Sequence, residues 1–311
     1  MRAVPAGAQD SESISEVAVR LASVAAVTGY EQAAIDSVLR LLPGARRDRA
    51  GNANLQLGAE RSPSKRLVVC PLDEPGYVVG RVQDEGYLTL RRVPGPVSPL
   101  FDQQIEGQRV AVYGNRGPVA GVVAVRSIHL TRGRTAPPEA PFTVDEAYVD
   151  VGADSPAEVE RLGVRVLAPV TLAKRPHLYG SALLAAPIAG RRAACGALLL
   201  AARQSRVRAK LLPSVLVAFT VQDGLSGTGL AALANAVGPF SQTVIVDGMP
   251  GPFGSILRGA ELDSTTRPKT LGQVAHWALP VRFFGTAVET VSLTDADSLR
   301  AALVRWIGGD E

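Results

Sequence analysis

Lys65-Arg66-Leu67-Val68-Val69-Cys70-Pro71-Leu72-Asp73-Glu74-Pro75-Gly76-Tyr77 divides the chain into two textures. Its first half is a short apolar run, the pattern of a buried strand, and its second half is an acidic turn closed by Pro75 and Gly76. From Tyr77 to about Ala173 the sequence reads as hairpins. Residues 77–82 and 87–93 flank Asp84-Glu85-Gly86, and residues 109–113 and 119–125 flank Gly114-Asn115-Arg116-Gly117. Paired apolar runs around turn residues, repeated at short intervals, predict a small all-β unit. The Pro-rich stretch 135–141 reads as a surface loop.

On either side of this unit the period changes. Ile35, Val38, Leu39 and Leu42 recur at helical spacing, and Leu42-Pro43-Gly44 stops that helix. Asp48, Gly51 and Asn52 mark a turn before the alternating Leu55 and Leu57. Beyond Gly180, residues 191–203 predict an Ala/Leu-rich helix, 214–221 a continuous apolar strand, 229–237 a helix and 243–246 a strand. Thr294-x-x-Asp297 has the form of a helix start, with Leu299, Leu303, Trp306 and Ile307 as the apolar face. Such alternation predicts a mixed or parallel sheet covered by helices. The expected architecture is an α/β domain of residues 1–76 and 174–311, with a barrel-like all-β domain inserted over 77–173.

With 311 residues, 46% of them apolar, the chain can bury a large core. Its net charge of +4 comes mostly from arginine and carries no nucleic-acid motif, so nucleic acid is not an expected partner. Apolar stretches are broken well short of the ~18 residues of a membrane span, and the polar start lacks the apolar run of a signal peptide. Cys70 and Cys195 are too few and too distant for a disulfide scaffold or a Cys-rich zinc site, which predicts thiols in a reducing cytoplasm, with Cys70 inert on its strand.

Several short motifs recur in one order. Gly29-Tyr30-Glu31 and Asp48-x-x-Gly51-Asn52 are followed by Asp73-Glu74-x-Gly76-Tyr77. Then come Tyr148-Val149-Asp150-Val151-Gly152-Ala153, Gln222, Asp247 and Pro280-Val281-Arg282-Phe283-Phe284 with Val288-Glu289. In this the chain resembles the cytoplasmic two-metal aminopeptidases, the tetrahedral and glutamyl aminopeptidases sometimes labelled endoglucanases. The resemblance implies a zinc-aminopeptidase-like α/β domain, two zinc or cobalt ions bridged by a carboxylate, and assembly into dimers or larger oligomers.

Carried over position by position, the resemblance yields few ligands. The first metal-binding His falls on Pro71, the bridging Asp on Leu184 or Ala185, a metal-binding Glu on Gly224 and the closing His on Gly285. Asp223 stands at the catalytic base, Asp73 at the residue that orients the missing His, and Asp247 alone at a ligand position. No Asp or Glu lies between Arg161 and Gln222, and the only histidines are His129, His177 and His276, so no shift of register restores the set. The expectation is therefore a non-catalytic homologue with no cofactor. Asp73, Asp223 and Asp247 would be vestigial positions, and the role one of assembly, binding or regulation as a homo-oligomer or with a protein partner. The alternative is a metal-dependent hydrolase with a rebuilt site.

Other features have plainer readings. His177 and His276 lack ligand-spaced partners, and His129, where the resemblance often puts a histidine at the active site, reads as structural or surface without metal partners. Ser181 and Ser226 lack a base, and Gly224 to Gly229 is a strand-to-helix turn without a phosphate-loop ending. The unbalanced cations from Arg161 to Lys210, densest at Arg203, Arg206, Arg208 and Lys210, read as a solvated helix end or as a docking patch. Small residues at Gly224 and Gly285 leave either a pocket, with Arg282 as a polar wall, or a void filled by Leu184, Phe283 or Phe284.

Overall fold

The apolar run that ends at Pro71 lies in the middle of a ten-stranded mixed sheet. The structure is a computed structural model and describes residues 12–59, 64–93, 95, 97, 101–124, 142–207, 212–260 and 268–310. Helices α1 (Ile14–Ala22) and α2 (Gln32–Leu41) precede strands β1 (Arg46–Arg47), β2 (Ala53–Leu57) and β3 (Arg66–Pro71). Six strands then form a second unit: β4 (Tyr77–Val82), β5 (Leu88–Arg92), β6 (Arg109–Gly114), β7 (Gly117–Ala124), β8 (Tyr148–Asp150) and β9 (Pro169–Leu172). The short α3 (Pro156–Arg161) lies between the last two. The chain returns through β10 (His177–Tyr179), β11 (Leu183–Ala185), α4 (Ala189–Arg206), β12 (Val215–Thr220), α5 (Thr228–Val237) and β13 (Gln242–Pro250). It ends with β14 (Leu257–Ala260), β15 (Gln273–Arg282), β16 (Thr290–Ser292) and α6 (Leu293–Gly308).

The sheet order is β1-β2-β12-β3-β13-β15-β16-β11-β10, with β14 also paired to β15. Its four middle strands, β12, β3, β13 and β15, run parallel, and the flanking strands are antiparallel. Every residue of β3 and β12 is buried, as strands covered on both faces require. Helices α1, α2, α4 and α6 pack on one face, and α5 covers the other with Leu230, Leu233 and Ala234. Helix α4 is the most enclosed. Ala193, Ala194, Ala197, Ala201 and Ala202 have no more than 0% exposure, and these small side chains let it sit between the sheet and helices α1 and α6.

Strands β4 to β9 close into a barrel in the order β4-β5-β8-β7-β6-β9, which leaves no free sheet edge. It has its own core, including Val79, Leu88, Ile105, Val112, Val149 and Val170. The barrel-like insert is thus present within an α/β fold. The Pro-rich stretch 135–141, Arg208 and Lys210 lie outside the described residues.

Two expectations are corrected. Cys70 and Cys195 are bonded to each other as a disulfide across 125 residues of sequence, both fully buried. Distance in sequence was no obstacle because α4 folds back onto the end of β3, bringing the two Cα atoms to 5.4 Å. A buried disulfide is the uncommon case in a reducing compartment, so the cysteines do not support a cytoplasmic location. Helix α6 is capped by Ser292 and not by Thr294. The last residue of β16 is already extended, and its hydroxyl accepts from the Asp295 amide at 3.2 Å. Among the described residues, no helix is long and apolar enough to cross a membrane.

Candidate functional site

Parallel strands present their carboxyl ends on one side of a sheet, and side chains from the following loops converge there. Here Asp73 leaves β3, Asp223 leaves β12, and Asp247 stands near the end of β13. The three residues singled out in the sequence are thus brought together. The turn after β12 is constrained: Gln222 has φ 58°, and its amide donates to Glu31 Oε1 at 2.9 Å.

What joins the three carboxylates is Arg191, in the first turn of α4. Gly190 makes its approach possible, because a Cβ there would lie 2.9 Å from Gly248 Cα on β13. The Arg191 Nε donates to Asp247 Oδ1 at 2.9 Å and its Nη2 to Asp247 Oδ2 at 2.7 Å, a bidentate pair. The same Nη2 donates to Asp223 Oδ2 at 3.1 Å, and Nη1 donates to the Asp73 carbonyl at 3.1 Å. Asp73 Oδ2 is held by the Thr28 hydroxyl and the Gly224 amide, each at 2.8 Å. Its Oδ1 is buried without a hydrogen bond and faces Arg191 Nη1 at 3.5 Å.

The charges follow from this geometry. Burial opposes the Arg191 cation, but Asp247, Asp223 and Asp73 outweigh it and hold its pKa above the usual arginine value. Burial pushes the Asp223 carboxyl up, against the pull of Arg191. Glu289 is also raised by burial, although the amides of Gly285 and Gly190 donate to it at 2.9 and 3.0 Å.

A second charged cluster lies beside the first. Glu74, next to Asp73, accepts from Lys174 Nζ at 2.5 Å through Oε2 and from the Ala26 amide at 2.9 Å through Oε1. Arg192, next to Arg191, approaches the same Oε2 at 3.2 Å and donates to the Leu72 carbonyl at 2.5 Å. All three side chains are sealed from water, and Arg192 Nε and Nη2 have no hydrogen-bond acceptor.

Three of the cations read as solvated or docking residues, Lys174, Arg191 and Arg192, are therefore internal. The sequence signal was the absence of acids from Arg161 to Gln222. Cations without local partners must find carboxylates elsewhere: Glu74 meets Lys174 and Arg192, and Asp247, Asp223 and Asp73 meet Arg191. Arg203 pairs with Glu12 at 2.9 Å. Leu184 is fully buried in the core on β11, whereas Phe283 and Phe284 do not fill the old ligand space, being 61% and 54% exposed. Arg282 stacks on Phe253 at 4.2 Å. Gly285 and Thr286 line a small cavity with Lys174, Glu74 and barrel residues Phe101 and Gln104. His177 stacks on Tyr179, and His276 lies within β15; His129 is outside the described residues.

Known proteins share this arrangement of sheet and barrel. The TET1 peptidase of Pyrococcus horikoshii, which can assemble into a tetrahedron or a large octahedral shell, superposes with a TM-score of 0.84 at 19% identity, covering 95% of this chain and 99% of that one. An endoglucanase of Thermotoga maritima gives a TM-score of 0.73 at 17% identity, covering 94% and 97%. In sequence, SgcX of Escherichia coli strain K12, which bears an aminopeptidase name, is 32% identical over 196 residues, 61% of this chain and 50% of its own length. The chain spans about half the length of the curated relatives it matches. The M42 glutamyl aminopeptidase family matches residues 51–249, and the chain belongs to that family.

Proposed function

We propose that this chain is a non-catalytic member of the M42 family that works by assembly or binding. The observation that carries this reading is the Arg191 guanidinium among Asp73, Asp223 and Asp247. A two-ion centre needs oxygen and nitrogen donors with free lone pairs and a water positioned for attack. Here a fixed cation takes up the carboxylate oxygens that face it, and among the described residues no imidazole joins the set. The donors present do not fit two metal ions. Restoring one ligand would not be simple: a Cβ at Gly224 would lie 2.8 Å from Thr28 Oγ1, the hydroxyl that holds Asp73. A metal-binding side chain at that position would have to displace the hydroxyl that holds Asp73.

Assembly with further copies of the chain is the second part of the proposal. It is supported by the TET likeness and by the exposed Leu178, Tyr179, Phe283, Phe284 and Val288 near one edge of the sheet. The test is metal analysis of the purified protein, together with hydrolysis of aminoacyl-p-nitroanilides in added zinc, cobalt or manganese. The expected result is no stoichiometric metal and no turnover. Two tightly held ions, or turnover abolished by Asp247→Ala, overturns the reading. Light scattering should give a mass above that of one chain.

A further inference from the structure

We infer that Arg191 is a tethered counter-ion: a side chain that performs, for the strand ends of this fold, the electrostatic work of a bound cation. This rests on the same cluster as the non-catalytic reading and goes beyond it, because it assigns the residue a task in holding the fold together. Three carboxylates gathered at the ends of β3, β12 and β13 repel one another, and Asp73 is 1% exposed, so water cannot screen it. A metal-binding fold meets this problem with its ions. Here the positive charge comes from α4, within reach of all three strand ends at once: 2.7 Å to Asp247, 3.1 Å to Asp223 and 3.5 Å to Asp73.

Two features distinguish this from an ordinary salt bridge. Asp73 Oδ1 is buried with no hydrogen bond and faces Arg191 Nη1 at 3.5 Å, while Arg192 also acts on the Asp73 charge. The guanidinium also uses both of its edges. Nε and Nη2 hold Asp247 side-on while Nη1 reaches back to the β3 exit, so a single planar group ties together three strands and a helix. Lysine would supply the charge without the fork.

The prediction is chemical replacement. Arg191→Ala should leave an empty cation site bounded by the three carboxylates. Its melting temperature should fall by roughly 5–10 °C, as expected for removing one partner of a largely buried pair in a chain of this size. Low millimolar guanidinium or methylguanidinium should raise the melting temperature of the variant and not that of the parent protein, and sodium chloride at equal ionic strength should not substitute. Arg191→Lys should fall between the two. An unchanged melting temperature in Arg191→Ala, or equal recovery with sodium chloride, overturns the inference. If Arg191→Ala is not recovered folded while Arg191→Lys is, the need for a cation is supported; if neither folds, Asp247→Asn decides. Partial recovery of Arg191→Ala folding by Asp247→Asn supports the inference, and further loss overturns it. These readouts are independent of catalysis, so turnover by the parent protein would remove the non-catalytic reading and leave this one to stand or fall on the melting data.

Discussion

Two neighbouring charge clusters are built from consecutive residues on the same two elements, yet they differ in kind. Asp73 and Arg191 belong to one, Glu74 and Arg192 to the other. In the first, three carboxylates face one guanidinium, and Asp223 and Asp247 retain 36% and 25% side-chain exposure. In the second, one carboxylate faces two cations, and Glu74, Lys174 and Arg192 retain 2%, 7% and 1%. The open cluster occupies the place where the family resemblance puts metal ions. The sealed cluster lies under the barrel and anchors the segment that leaves it. Alternate residues on a strand exit point to opposite sides, so one dipeptide serves both. The contrast separates a half-open site, in which one guanidinium serves three carboxylates, from a sealed joint beside the barrel, in which one carboxylate serves two cations.

The largest expected effect falls on the sealed joint. Glu74→Gln leaves Lys174 and Arg192 buried without a counter-charge, and the loss should be about 3–5 kcal/mol, read as a lower urea midpoint. An unchanged midpoint would mean that the cluster is not structural and that the contrast drawn above fails.

Next comes the disulfide, which ties both clusters at once. Cys70 lies three residues before Asp73, and Cys195 one helical turn after Arg191. The loop it closes contains the whole barrel, so Cys70→Ser with Cys195→Ser should cost about 2–4 kcal/mol through the unfolded state. Reduction of the unfolded, but not of the native, protein should remove the same amount. A variant as stable as the parent would show that packing alone fixes α4 on β3.

Within the open cluster the effects should be smaller and graded by geometry. Asp247→Asn breaks the bidentate pair and should cost about 1–2 kcal/mol, while Asp223→Asn, more exposed and singly bonded, should cost less than about 1 kcal/mol. Equal costs would indicate that the fork is not the organising contact.

The finest distinction is in pH. Burial works to raise the Glu74 pKa, but Lys174 and Arg192 overcome it and the group sits below its ordinary 4.5. The unfolded chain therefore takes up the proton first as pH falls. The stabilisation is complete above the ordinary carboxylate value and is lost as pH drops through the depressed one. The stability gap between the parent protein and Glu74→Gln should narrow on going from about pH 6 to about pH 3. A constant gap would mean that Glu74 is not ionised in the fold.

Much of the architecture was legible in the residues because its signals are local. Leu42-Pro43-Gly44 ended α2, the hairpins around Asp84-Glu85-Gly86 and Gly114-Asn115-Arg116-Gly117 formed as read, and the run 65–70 became β3. The convergence of Asp73, Asp223 and Asp247 was also foreseeable through the family resemblance. The end of β13 was not: the sequence suggested 243–246, but the strand runs to Pro250 because β15 pairs with it as far as Val281. A pairing partner some thirty residues away sets that length, and no local pattern records it.

The sequence by itself determined the periods of the elements and the order of the motifs, and through the family resemblance it set the expectation that Asp247 alone stands at a ligand position. It also held the clue to the buried ion pairs, a run of arginines and lysines with no acid among them. Only the tertiary structure decided which cations went inside. Arg191 and Asp73 are 118 residues apart, and Cys70 and Cys195 are 125. The energy of an ion pair or a disulfide depends on distance in space, which is set by the packing of α4 between the sheet and its neighbouring helices. Until that packing exists, Arg191 is one more solvated arginine; once it does, burial among three carboxylates makes it the cation of the site.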